Sequence, residues 1–441
     1  MTRLAAVALA ALVAQNPQLR QADPLPAVVV GEVVDAATGK AVRQAIVRIT
    51  GASATITRVA DERGRFFFVN LPAGSYDITA MRDGYFDGAF GRVRAGGDAL
   101  ELPLAAGEWK TNITISLFRP AVISGAVDDE ASEPLAGVRV VAFRRAWNDG
   151  REAWVAAGTT ETDDRGLYRL HGLMPGEYAV AVPSVSVTMP TAVIDSAAGR
   201  GPLNVYSVFA LTLIGSSAGQ RSLSATAMFD GDSTRLIGDS PIPAGRDGPE
   251  AWTYSTAYYP AADGFGGAVA IVVGPGEPRT GINFRLRPVP AVRVSGRLEG
   301  PDGPVPGLLL RLLTEDVTDL GLGFESGVTV SRSDGSFNFL DIPAGRYVLS
   351  ARSAAELVRQ SPLTKRVGSP AQDLAVSLRG TEELWGEIPI TVYDRDLEGL
   401  VVMTRRGAAL SGELVFDTDG QIPTPASVSR LRVHLQPADS T

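Results

Sequence analysis

The chain has no cysteine. This excludes disulfides, a lipoprotein cysteine and any thiolate metal site. Histidine is nearly absent too: only His171 and His434 occur, far apart, and neither begins a His-x-x-Glu pattern. A zinc carboxypeptidase needs imidazole and carboxylate ligands around an open metal position, and that set is missing. There is no basic stripe, and the net charge of −8 speaks against a nucleic-acid partner. Long helical periods are lacking. So are apolar runs long enough to span a bilayer; residues 205–214 are short and interrupted by Ser207 and Thr212.

What the chain has is punctuation. Its 48 glycines and 29 prolines favour short strands joined by turns, and 441 residues suit three to four domains. One pattern returns three times. Asp61-Glu62-Arg63-Gly64-Arg65-Phe66-Phe67-Phe68 leads to Leu71-Pro72-Ala73-Gly74-Ser75-Tyr76. Asp163-Asp164-Arg165-Gly166-Leu167-Tyr168 leads to Leu173-Met174-Pro175-Gly176-Glu177-Tyr178, and Ser333-Asp334-Gly335-Ser336-Phe337 leads to Ile342-Pro343-Ala344-Gly345-Arg346-Tyr347. Internal repeats outrank single-residue signals. Each copy reads as a polar turn, a strand with an aromatic two residues after glycine, a Pro/Gly turn, and a strand opening on Tyr. Gly64, Gly166 and Gly335 stand where a reversal needs positive φ. Phe66 with Phe68, Tyr168 with Leu170, and Phe337 with Phe339 share one face, which reads as core. A buried Tyr hydroxyl needs a partner, expected near the turn.

The expected organisation is a leader over 1–22, a first module over 27–119, a second over 120–289 with a long insertion at about 184–250, and a third over 290–405. The segment 406–441 opens a fourth copy at Leu410-Ser411-Gly412-Glu413-Leu414, whose second half is expected beyond the sequence or, as the less plain reading, from another chain. Arg3 followed by the apolar residues 4–14 reads as a signal peptide cleaved near Ala14. The insertion shows no sustained strand period and reads as an excursion from the second module. Asn112-Ile113-Thr114 matches a glycosylation sequon and is read as accidental.

The pattern Gly31, Asp35, Gly39, Ala45-Ile46-Val47, then Asp61, Gly64, Phe66, Leu71-Pro72, Gly74 and Tyr76, resembles carboxypeptidase regulatory-like domains. The resemblance implies an all-β chain of tandem transthyretin-like (Greek-key, Ig-like) β-sandwich modules, often grouped with carbohydrate-binding-like folds. Tyr258-Tyr259-Pro260 and the restart at Val294-Ser295-Gly296 look like those of secreted bacterial proteins built from such modules. It implies no peptidase activity.

Three further motifs bear on chemistry. Gly215-Ser216-Ser217-Ala218-Gly219 matches a nucleophile elbow, but the only downstream histidine is His434, and a small-residue loop is the better reading. Asp230-Gly231-Asp232 and Asp417-Thr418-Asp419-Gly420 could offer oxygens to calcium, yet neither completes a ligand loop with a final Glu. The third is a hairpin around Asp149-Gly150, a pair suited to a type I′ turn. Counting outward pairs Asn148 with Arg151 and Arg145 with Trp154. One face then carries Val138, Val140 and Ala142 as core. The other carries Phe143, Arg145, Trp147 and Trp154, an aromatic face able to stack on sugar rings. The alternative is that the insertion folds back over this face and makes a second small core.

These readings give a secreted, periplasmic or cell-surface protein without enzymatic activity, cofactor or metal. Its expected partner is an extracellular polysaccharide or a surface protein. A structural spacer or adhesin stalk is the second reading and a hydrolase the third.

Overall fold

The computed structural model describes residues 25–51, 55–148, 151–197, 227–236, 251–314, 324–353 and 384–407, with 243, 411–413 and 415. The signal-like start, the Asp149-Gly150 turn, the Ser217 elbow, the acidic turn at 417–420, His434, and Leu410 and Leu414 of the fourth opening lie outside the described residues.

The fold is nearly all β, in three sandwich modules. In the first, the strand Ala27–Asp35 pairs antiparallel with Arg65–Leu71 and parallel with Trp109–Leu117. The facing sheet joins Thr55–Val59, Ile46–Thr50 and Gly74–Met81, with Gly88–Ala89 and Leu102–Leu104 alongside. Alternation places Val29, Val33, Phe66, Phe68, Tyr76, Ile78, Ile113, Ile115 and Leu117 in the core between them.

The second module repeats the plan. Ala121–Asp128 pairs with Leu167–Leu173 and, in parallel, with Pro278–Arg279 and Phe284–Arg285. Its other sheet holds Arg151–Glu161, Arg139–Asn148, Gly176–Val182, Ala257–Tyr258 and Ile271–Val273. In the third, Pro288–Gly300 pairs with Ser336–Pro343 and, in parallel, with Leu397–Met403. Leu308–Thr314, Gly327–Val330, Gly345–Ser353 and Leu384–Val392 form the facing sheet.

The repeat positions carry one set of physical roles. Gly64, Gly166 and Gly335 have φ of 73°, 70° and 78°. A Cβ there would stand 2.6–2.7 Å from the carbonyl oxygens of Val33, Val127 and Leu298, so both conformation and space require glycine. The opening glycines Gly31, Gly125 and Gly296 face Phe66, Tyr168 and Phe337 across the antiparallel pair. The carbonyls of Ile113, Ile282 and Leu400 on the closing strands crowd their other side, where a Cβ would fall within 2.3 Å. The three tyrosines are buried, and each hydroxyl donates to the carbonyl four residues back: Tyr76 to Pro72 at 2.8 Å, Tyr178 to Met174 at 2.5 Å and Tyr347 to Pro343 at 2.8 Å. A further shared feature has only a faint sequence signal. Asn70, Gly172 and Asp341 all adopt left-handed backbone, with φ of 58°, 71° and 56°. Each sits where the register with the opening strand slips, a bulge that these residue types tolerate.

The insertion departs from expectation. Its described strands, Ser186–Pro190, Ala227–Asp230 and Ser233–Leu236, do not flank the second module's sandwich. They extend the third module's sheet to eight strands, with Ser186–Pro190 parallel to Gly327–Val330. Ser186 Oγ donates to the Leu340 carbonyl at 2.5 Å and the Leu340 amide donates to Thr188 Oγ1 at 3.0 Å. Arg235 and Asp341 form a largely buried ion pair.

Candidate functional site

The hairpin of Arg139–Asn148 and Arg151–Glu161 has the expected register, with Arg145 opposite Trp154 and Asn148 opposite Arg151. Its long strands carry the tip beyond the sandwich, so the core-facing side thins out: Val138, Val140 and Ala142 are buried, whereas Ala153 and Val155 are half-buried.

The four residues expected to form one open face separate into two environments. Phe143 is fully buried. Its ring meets Phe324 of the third module at 4.6 Å and Phe265 at 6.1 Å, both edge-on. Trp154 is half-buried, edge-on to Phe265 at 5.6 Å. With Val141, Ala179, Ala181 and Tyr258 they make a second small core. The face is therefore not open at Phe143. Its cover comes from residues 258–268, pinned by the reciprocal bonds of Tyr258 and Ala262, and from Phe324. Aromatic burial of this kind removes water from both faces and gains edge-on contact.

Towards the tip, Arg145, Trp147 and Glu152 are exposed among the described residues. Trp147 is 77% exposed. Arg145 lies between two carboxylates, donating to Glu152 at 2.7 Å and Glu177 at 3.3 Å. The bond to Glu177, with the field of Glu152, raises the guanidinium pKa. Both carboxylates are engaged, so this cluster offers charge and a flat ring but no free acid or base. Glu177 becomes accessible to register counting only once the fold pairs Arg144 with Tyr178, whose neighbour it is. Phe265 and Phe324 do not, since neither belongs to a periodic run.

The other motifs have structural partners. Asp232 accepts from Arg332 at 2.7 Å in the turn of an added hairpin. His171 is exposed on Leu167–Leu173. Asn112, of the sequon, has left-handed backbone on the closing strand of the first module. A groove of about 710 Å³ runs over the second module, lined by Ser124, Thr160, Asp163, Arg169 and Asn283, but Asp163 is bound to the amides of Arg165 and Leu167.

A tighter cluster joins the first two modules. Asp35 is buried and accepts from Arg119 at 2.5 Å, Tyr85 at 3.0 Å and the amides of Ala37 and Thr38. Burial alone would raise this carboxyl; the hydrogen bonds from Arg119, Tyr85 and the amides outweigh it and hold it at about 2. The backbone of Arg119 meanwhile accepts from Gly276 of the second module.

Residues 28–103, which hold the first copy of the repeat and its buried Tyr76, match the family model of the carboxypeptidase regulatory-like domain. The first module is similar to carboxypeptidase regulatory-like domains. The second and third modules repeat its turn glycine, bulge and tyrosine at equivalent positions. No curated protein matches the chain. Among solved structures, it is similar to the Bacillus anthracis TIE protein at 10% identity, covering 87% of this chain and 51% of that one, with a TM-score of 0.20. A streptococcal ancillary pilin aligns at 10% identity over 86% of this chain and 99% of its own, with a TM-score of 0.22. The minor pilin GBS52 of Streptococcus agalactiae aligns at 11% over 60% and 97%, with a TM-score of 0.25. The chain spans about half the length of the Bacillus anthracis protein.

Proposed function

We propose that this chain is a non-enzymatic structural array, a spacer of regulatory-like sandwich modules that works outside the cytoplasm. The observation that carries the reading is the sharing of strands between modules: Ser186–Pro190 and its two followers leave the second module and complete the third module's sheet. Domains joined by a linker alone move independently; a shared sheet removes that freedom. The second and third modules are then held at a set distance. The Arg3 start with its apolar residues 4–14 supports export. The test is calorimetry of the full chain. Modules two and three should unfold in one transition, separate from the first. Independent transitions for the second and third would remove the stiffness on which the reading rests.

A second reading adds binding of an extracellular polysaccharide or surface protein at the hairpin tip. The exposed Trp147 beside Arg145 favours it, because a flat ring with adjacent charge stacks on sugar faces and cations. Phe143 has no part in this version, and Trp154 only its exposed edge. Retention of the chain on insoluble polysaccharide, lost in Trp147→Ala, would support it; equal retention of both would exclude the tip.

A further inference from the structure

The three modules treat one edge differently. In each, the sheet that carries the tyrosine strand ends its own run of strands in the equivalent element: Thr55–Val59, Arg151–Glu161 and Gly327–Val330. An open edge presents unpaired backbone groups to any passing strand, and proteins blunt it with bulges, proline, charge or cover. Gly327–Val330 is covered by Ser186–Pro190. Arg151–Glu161 carries a bulge opposite Ala142 and Phe143. Other described edges have devices of their own: the Asn70 bulge in Arg65–Leu71, and Pro389 with Arg405–Arg406 beside Leu384–Val392.

Among the described residues Thr55–Val59 has no bulge and no covering strand, and its one charged residue is Arg58. Its five residues pair with Ile46–Thr50 in unbroken register. It contains no proline, and all but Ile56 are exposed. The sequence Thr-Ile-Thr-Arg-Val is dominated by β-branched residues, and Arg58, its one charge, folds back to the carbonyl of Thr57 at 3.0 Å. Around it lie Val59 at 64% exposure and, on the strand that follows, Phe67 at 62%.

We infer that this edge pairs with the same edge of a second copy of the chain, antiparallel and about a two-fold axis at Thr57. The sequence is self-complementary in that register. Thr57 meets Thr57, Ile56 meets Arg58 and Thr55 meets Val59, so no like charges oppose each other. A two-fold contact needs one patch that fits itself, and the β-branched residues suit the paired state. The third module shows the same edge accepting a strand within one chain.

The experiment measures the mass of the full chain in solution by light scattering across a concentration series. The parent should pass from monomer to dimer. Thr57→Lys and Thr57→Glu each place like charges on the axis, and each should stay monomeric at concentrations where the parent is dimeric, with unchanged circular dichroism. Mixing the two variants should restore a dimer, because opposite charges then meet. A parent that stays monomeric throughout overturns the inference. So does a dimer that both substitutions leave intact, or a mixture that fails to associate after each variant alone has lost the dimer.

Discussion

The first and third modules share a turn glycine, an aromatic strand, a bulge and a buried tyrosine, yet they close differently. Among the described residues, the first builds both sheets from residues 27–117 and has no strand paired to the outer edge of Thr55–Val59. The third takes four described strands from chain that precedes it, Ala251–Tyr254 beside Pro288–Gly300 being the fourth, and its strand Ser336–Pro343 is covered by Ser186 and Thr188. Phe67 and Asn338 occupy the same place in the repeat; one is 62% exposed and the other is buried. The repeat therefore determines the core, and residues outside it determine what happens at the edges.

Tyrosine truncation gives the largest expected effect on this comparison. Tyr347→Ala should cost about 3–5 kcal/mol, as large aromatic truncations do, and should loosen the strands Ser186–Pro190, Ala227–Asp230 and Ser233–Leu236 together with the third module. Tyr76→Ala should melt the first module and leave the others untouched. Hydrogen exchange by segment would show whether loss travels as described.

Removing one partner of the shared sheet's ion pair comes next. Arg235→Ala removes an ion-pair partner of Asp341 in a largely buried site, which costs about 3 kcal/mol. Urea unfolding should show the loss in the joint transition of modules two and three. An unchanged joint transition would mean that the added strands contribute nothing to the third module.

Acid should separate the modules in the opposite sense. Asp35 titrates at about 2 in the fold against 3.8 when unperturbed. A depressed carboxyl stabilises the fold fully above its unfolded value, and the contribution is lost as pH falls through the folded one. Between about pH 4 and pH 2 the first module should lose about 2 kcal/mol. The third has Gly300 at the corresponding position and lacks this source of acid lability. Asp35→Asn should flatten the acid slope of the first module's unfolding midpoint; a parallel slope in parent and variant would assign it to other carboxylates.

The smallest effect belongs to the hairpin tip. Trp147→Ala should change stability by less than about 0.5 kcal/mol, as exposed substitutions do, whereas Phe143→Ala should cost several times more because its ring lies between Phe265 and Phe324. Equal costs would mean that tip and inner face belong to one core.

Much of the fold was legible because strand alternation and turn chemistry are local. The tyrosines, their hydrogen bonds to the turn, the glycines and the pairing of Arg145 with Trp154 all follow from counting residues. The added strands were not legible, for a physical reason. Ser186 and Thr188 are buried against backbone groups of Leu340, and Ser233 against Asn338. Their partners are polar, so they leave no hydrophobic period to read. The bulge at Asn70, Gly172 and Asp341 was visible only as three residue types that tolerate positive φ. At the candidate site, parity placed Phe143 on the correct side of its strand. What covers that side arrives from Phe265 and Phe324, at sequence distances that no pattern encodes.

In every module the first strand runs parallel to the last: Ala27–Asp35 beside Trp109–Leu117, Ala121–Asp128 beside Phe284–Arg285, and Pro288–Gly300 beside Leu397–Met403. The chain thus enters each sandwich at one end and leaves at the other. Tension on the two ends pulls neighbouring strands past each other along their length, and their hydrogen bonds bear the load together instead of opening one by one. The opening glycines Gly31, Gly125 and Gly296 bring those strands close at the loaded seam. Resistance to pulling is set by the unfolding rate, not by equilibrium stability. A module only modestly stable to urea can therefore still hold under force.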